Sequence, residues 1–322
     1  MGLLTLLGLR RPNTWEPPTL LDALLASPLA WAVARLYAAI LFLRGAPFQP
    51  PPGKPPIRVV CLSDTHDDRS CAVPDGDLLI HAGDLTNDGT REGLQRMLDW
   101  VAAMPHAEKV VVGGNHDGWF DERLREGLGG GELDFRGVRY LRGEMVTLGF
   151  KGGRRLNVYG DGAVPRCGDE SHALQYDRDK HPWRGSIPDE TDVLVTHTPP
   201  RFHRDLGLGC AGLLEEVWRV KPKLHVFGHV HWGHGRESVY YDECQKAYES
   251  LMARTWKGPI RDFFLCPAWL DALSVVWYGI NSISWKWLMA GPGSNNGGLM
   301  VNASVMYGNT GKVRNKAAVV DL

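Results

Sequence analysis

Five short apolar runs, each stopping abruptly at a cluster of polar residues, constrain this chain more than any other feature of its 322 residues. The runs lie at 57–62, 77–80, 109–112, 192–195 and 223–227 and are rich in β-branched residues. Runs of this kind, without polar alternation, suit strands buried on both faces of a layered α/β fold. Helical patterns at 91–104 and 211–220 fall between some of them. A hairpin is expected between 145–150 and 155–159, with Lys151-Gly-Gly-Arg154 as its turn.

The polar clusters carry the chemistry. In chain order they are Ser63-Asp64-Thr65-His66, Gly83-Asp84-Leu85-Thr86-Asn87, Gly114-Asn115-His116-Asp117, Thr196-His197-Thr198-Pro199-Pro200 and Gly228-His229-Val230-His231. Open α/β sheets form their sites beyond the carboxyl ends of the strands, so five such ends can converge. Asp64 and Asp84, the imidazoles of His66, His197, His229 and His231, and the Asn115 amide oxygen are borderline-to-hard ligands suited to Zn, Fe or Mn. Seven ligands exceed one tetrahedral site and fit two ions if one carboxylate bridges. Any one motif alone is commonplace. Gly-His-x-His is the strongest of them, because alternate strand residues point the same way. His81, His106, His172, His181 and His225 lack comparable placement and are read as structural or surface residues.

Composition narrows the partners. Hydrophobic residues make up 43% and charged residues 23%, which implies a buried core. A formal net charge of −1 offers no basic field for nucleic acid. None of the six cysteines forms a C-x-x-C pair. With no signal-peptide pattern, the expectation is reduced thiols and an intracellular, cytoplasmic protein.

The set Asp64-x-His66, Gly83-Asp84, Gly114-Asn115-His116-Asp117, His197 and Gly228-His229-x-His231 resembles the calcineurin-like metallophosphoesterase superfamily. The phrases Ser63-Asp-Thr-His66, His81-Ala-Gly-Asp84 and Thr196-His-Thr-Pro-Pro200 bring it nearest to the small metallophosphoesterase-domain proteins, which are similar to class III cyclic-nucleotide phosphodiesterases. The resemblance covers about 57–235 and resumes at 299–304 and 318–321. It implies a four-layer α/β/β/α sandwich. It also implies that Asp64, His66 and His231 hold one metal, that Asn115, His197 and His229 hold the other, and that Asp84 bridges both. His116 would then protonate the leaving oxygen while a bridging hydroxide attacks phosphorus in line. The protein phosphatases of the superfamily place an Asp where this chain has Asn87, and that Asp pairs with the catalytic histidine. Asn87 is expected to orient His116 through a neutral amide, with Asp88 and Asp117 as neighbouring carboxylates able to compensate. The arginines that flank these motifs in the protein phosphatases are also missing, which disfavours phosphoprotein substrates.

The expected function is hydrolysis of small phosphodiesters, cyclic nucleotides included. The alternatives are a phosphomonoesterase or nuclease of the same fold, or a low-turnover metal-stabilised scaffold. All seven ligands are present, which favours turnover.

Two segments stand outside this pattern. Residues 24–43 are apolar, small or aromatic except at Ser27, Pro28 and Arg35, about the length of a membrane span. Arg35 inside the run and Pro28 near its start favour a packed or interfacial helix. A proline-rich linker at 47–56 follows, giving an N-terminal region of 1–56 and a catalytic domain of 57–322. Within that domain, 243–293 reads as a Trp-rich helical insertion between strands at 238–241 and 298–302. The apolar helix and the insertion are expected to pack together through Phe263, Phe264, Leu265, Trp269, Leu273, Val276 and Trp277, and to touch a membrane peripherally through 24–43 and 256–287.

Overall fold

The computed structural model describes residues 2–254, 259–288 and 297–322, so Trp256 and residues 289–293 of the expected insertion lie outside the described residues. The chain divides into two compact units, residues 50–236 with 300–322 and residues 1–49 with 237–299.

The sheets are built from β1 (Arg58–Leu62), β2 (Leu78–Ala82), β3 (Glu108–Val112), β4 (Arg139–Tyr140), β5 (Glu144–Phe150) and β6 (Arg154–Asp161). The short β7 (Val164–Pro165) and β8 (Gln175–Tyr176) pair with each other, and β9 (Val193–Thr196) and β10 (Leu224–Phe227) follow. Then come β11 (Gly235–Val239), β12 (Gly298–Asn302) and β13 (Ala318–Asp321). One sheet has the order β13-β1-β2-β3-β4, the other β11-β12-β10-β9-β6-β5. β1 to β4 run parallel with β13 antiparallel on β1. β6, β9 and β10 run parallel with β5 antiparallel on β6 as the expected hairpin. β2 packs against β9 and β10, and β3 against β6, so the two sheets lie face to face.

Every residue of β2 is buried, which explains why its sequence shows no alternation. The outer face of the first sheet presents Val60, Leu62, Leu79 and Val111 to the Arg91–Ala102 helix. That helix starts because Thr90 Oγ1 accepts the Gly93 amide. It buries Leu94, Met97, Leu98 and Val101 at its 3.6-residue period, each worth about 1.5–3 kcal/mol. The Ala211–Val220 helix buries Leu213, Leu214 and Val217. The result is the four-layer α/β/β/α sandwich.

The second unit is helical. The single helix expected over 24–43 is two, Leu20–Ala26 and Pro28–Arg44. The break falls at Ser27 because Pro28, lacking an N–H, is accepted only in a first turn. Ser27 Oγ caps the new helix by accepting the Ala30 amide. The insertion forms helices Glu243–Ala253, Pro259–Phe263 and Pro267–Leu288. Leu29, Val33, Tyr37 and Ile40 share a core with Cys244, Leu251, Ala268, Ala272 and Val275. The packing of the two segments is as expected, but its face is not. Of the large side chains expected there only Trp269 packs on this core. Phe263, Phe264, Leu265, Leu273, Val276 and Trp277 are exposed. Small residues face inward because helix axes can approach closely only where side chains are short.

Candidate metal centre

The five polar clusters meet at the carboxyl ends of β1, β2, β3, β9 and β10. Ligand atoms of Asp64, His66 and His231 lie within 4.8 Å of one another, and so do those of Asp84, His197 and His229. Asn115 Oδ1 is 3.2 Å from His197 Nε2. Asp84 Oδ2 lies 3.2 Å from His197 Nε2 and 3.7 Å from His66 Nε2, so one oxygen borders both groups.

Strand ends come this close partly because Asp84, Asn115 and His229 each follow a glycine. A Cβ on Gly114 would lie 2.2 Å from Asp84 Oδ1, and one on Gly228 would lie 2.2 Å from Asp64 Oδ2. The buried Asp117 carboxylate ties two loops together by accepting the amides of Leu85, Thr86 and Gly114. Asn302 donates to the Val230 carbonyl and steadies the turn between His229 and His231.

The donor chemistry fits metal ions. His197 Nδ1 donates to the Ala82 carbonyl at 2.8 Å, and His231 Nδ1 to the Gly308 carbonyl at 2.9 Å. Their Nε2 atoms are therefore the ones turned inward, as in a ligating histidine. His231 Nε2 stands 3.3 Å from His66 Nε2 and 3.4 Å from Asp64 Oδ1. Burial alone would lift the Asp84 carboxyl, but His197 and His66 hold it well below the usual carboxylate range. Burial works against the His197 cation too, yet Asp84 raises it to about 9. Burial pushes His229 down to about 3, leaving a neutral imidazole ready to ligate.

His116 sits beside this set. Its main-chain N–H donates to Asp84 Oδ1 at 2.8 Å, and its ring meets that of His66 edge-on at 4.9 Å. The orienting contact differs from the expected one. His116 Nδ1 donates to the main-chain carbonyl of Asn87 at 3.0 Å, while the Asn87 side-chain amide turns away to the His66 carbonyl at 2.9 Å. Neither Asp88 nor Asp117 takes the role. Asp88 accepts from Thr90, and Asp117 from the loop amides. His81 and His225 are buried within strands and bonded to Thr65 and Thr196, as their structural reading implies. His172 stands beside His116, with 5.4 Å between the ring centroids. It lies on a loop rather than behind an apolar run, so the pattern that revealed the other residues passes over it.

Residues 57–233 match the family model of the calcineurin-like phosphoesterases. A probable rhamnogalacturonate lyase C of Emericella nidulans is 39% identical over 272 residues, covering 83% of this chain and 24% of that protein. The chain thus spans about a quarter of that relative, whose name describes the longer protein. A UPF0046 protein of Caenorhabditis elegans is 38% identical over 58% of this chain and 67% of its own length. Metallophosphoesterase domain-containing protein 1 of Homo sapiens is 32% identical over 56% of this chain and 63% of its own length. Among solved structures, TT1561 of Thermus thermophilus aligns with a TM-score of 0.40 and 16% identity, covering 58% of this chain and 85% of that one.

Proposed function

The chain belongs to the calcineurin-like phosphoesterases, which makes it a metal-dependent phosphoric ester hydrolase, and from that premise we propose that it cleaves small phosphodiesters, cyclic nucleotides among them, at a centre of two metal ions. Asp64, His66 and His231 would hold one ion, and Asn115, His197 and His229 the other. Asp84 would be shared, and the observation that carries the reading is its Oδ2 lying 3.2 Å from His197 Nε2 and 3.7 Å from His66 Nε2. The donor set suits Mn, Fe or Zn. When bound, such a pair lowers the pKa of water and neutralises phosphoryl charge.

The chain's own contribution is placement and proton supply. His116 lies outside both ligand sets, and its Nδ1 is engaged by the Asn87 carbonyl. Its Nε2 is thereby left to protonate the leaving oxygen. A neutral carbonyl supports the imidazolium less than a carboxylate does, which favours substrates with good leaving groups. The net charge of −1 speaks against long nucleic acids, the substrates of a nuclease.

The test is turnover of bis(p-nitrophenyl) phosphate by the purified, manganese-loaded chain, with elemental analysis. Asp84→Asn is expected to abolish turnover and lower the content of both ions, because an amide brings no charge to share between two cations. Two ions per chain with normal turnover in that variant refutes the binuclear reading.

The reading extends to a peripheral lipid contact of an intracellular protein. No single helix among the described residues is long and apolar enough to cross a membrane. The support is the outward face of the Pro267–Leu288 helix, where Leu270, Leu273, Trp277, Ile280 and Trp287 are exposed at helical spacing.

A further inference from the structure

His172 lies on the loop between β7 and β8, which one contact ties to the metal centre and two others hold in place. The Ala173 amide donates to the carbonyl of Asn115 at 2.8 Å. The His172 carbonyl accepts from Arg123 Nη2 at 3.1 Å and from Gln175 Nε2 at 3.2 Å. The peptide unit that follows His172 is therefore held at both its N–H and its carbonyl, the N–H by the main chain of an expected ligand.

The ring is fixed as well. A Cβ on Gly168 would lie 2.4 Å from His172 Nδ1 and 2.5 Å from Cε1, so that edge of the imidazole packs on bare main chain. Asp169 Oδ1 stands 3.4 Å from the same Nδ1. Nε2 and Cδ2 lie on the other edge of the ring. The ring meets His116 at 5.4 Å between centroids and 74° between planes. The side chain is 29% exposed, so a ligand from solvent can reach it.

The geometry points to His172 as a second catalytic histidine, whose Nε2 donates a hydrogen bond to a non-bridging phosphoryl oxygen beside His116. No bond forms or breaks at His172. The proton for the leaving group still comes from His116, and His172 binds charge on the phosphoryl group. The inference rests on the phosphoesterase reading of the site.

The test uses the metal-loaded full chain and two variants reaching the same ring by different routes. His172→Ala removes the imidazole. Gly168→Ala leaves it in the sequence but puts a methyl where it packs, on a backbone outside the left-handed region. Each is expected to keep its metals and lose about 10–100-fold in kcat/KM for aryl phosphodiesters, the range for a hydrogen bond to a charged group. The loss should be the same across a leaving-group series, because the contact is to a non-bridging oxygen. The double variant should lose no more than His172→Ala alone. Binding of inorganic phosphate, measured by calorimetry, should weaken in both single variants. Turnover and phosphate affinity within about twofold of the parent in His172→Ala overturn the proposal. So does a loss that grows with leaving-group pKa and vanishes in a His116→Ala background, which would make His172 a positioning residue for His116. If the parent binds phosphate through His172 but turns over no ester, the contact stands and the phosphodiesterase reading fails.

Discussion

Asp64, His66, Asp84 and His229 hold their side chains from left-handed backbone, with φ of 55°, 47°, 53° and 65°. For residues with a Cβ this conformation costs on the order of 1–2 kcal/mol each. It persists because neighbouring hydrogen bonds fix it, such as Asp64 N–H to Gly83 O at 2.9 Å and His66 N–H to Asp84 O at 3.1 Å. The strain turns the chain sharply at the strand end and aims the side chain inward where a relaxed strand would carry it past the site. His116 is placed differently, through the Asn87 carbonyl, and that separates two variants. His116→Ala should retain both ions while losing roughly 10²–10⁴-fold in turnover, with a smaller loss for good leaving groups. An equal loss across the series counts against an acid role. Asn87→Ala keeps the carbonyl that His116 uses and should cost less than about tenfold, since only one side-chain hydrogen bond is lost. A loss as large as that of His116→Ala would show that the side chain, not the main chain, orients the imidazole.

At the scale of elements, the strands and the polar turns after them were legible because burial on both faces leaves unbroken apolar runs. The helical pattern expected at 91–104 is the Arg91–Ala102 helix, which Thr90 caps and which buries Leu94, Met97, Leu98 and Val101. Two things were hidden. Main-chain acceptors, such as the Asn87 carbonyl for His116, leave no trace in residue identity. The face on which a uniformly apolar helix packs leaves none either. In Pro267–Leu288 both faces are apolar, so side-chain size decided, with Ala268, Ala272, Val275 and Gly279 turned inward. One polar residue fixes this arrangement. Asp262 Oδ2 accepts the Ser27 hydroxyl at 2.6 Å and the Leu29 amide at 3.0 Å, capping the Pro28–Arg44 helix from a segment far along the chain. Asp262→Ala should lower unfolding stability by about 1–3 kcal/mol, combining a lost cap with hydrogen bonds to a buried carboxylate. Metal content should be untouched. Denaturant titration giving parent-like stability would show that the apolar core alone holds the helices.

At the scale of the whole molecule, the helical unit carries an outward surface that solubility alone does not account for. Phe263 is 88% exposed, Leu265 93% and, from the N-terminal helix, Phe42 84%. Large apolar side chains exposed together mark an interaction surface. Tryptophan is favoured where an apolar medium meets water, and the Pro267–Leu288 helix carries Trp277, Trp285 and Trp287, each more than half exposed. Its charged residues are Asp271, paired with Arg254, and Lys286, near the Trp287 ring. Charge is thus kept to the flanks of the apolar face, as an interfacial helix requires. The full chain is expected to co-sediment with phosphatidylcholine–phosphatidylserine vesicles while keeping whatever turnover of bis(p-nitrophenyl) phosphate it has free of them. Replacing two exposed residues, Leu273→Glu with Trp277→Glu, should weaken vesicle binding at least about tenfold, because each removes about 1.5–3 kcal/mol of apolar burial in the interface. Thermal stability should hold, since neither side chain belongs to the core. Equal sedimentation of parent and variant refutes the lipid contact. Equally decisive against it is a parent that runs as a dimer, ignores vesicles and becomes monomeric on substitution, for then the face belongs to a second copy of the chain.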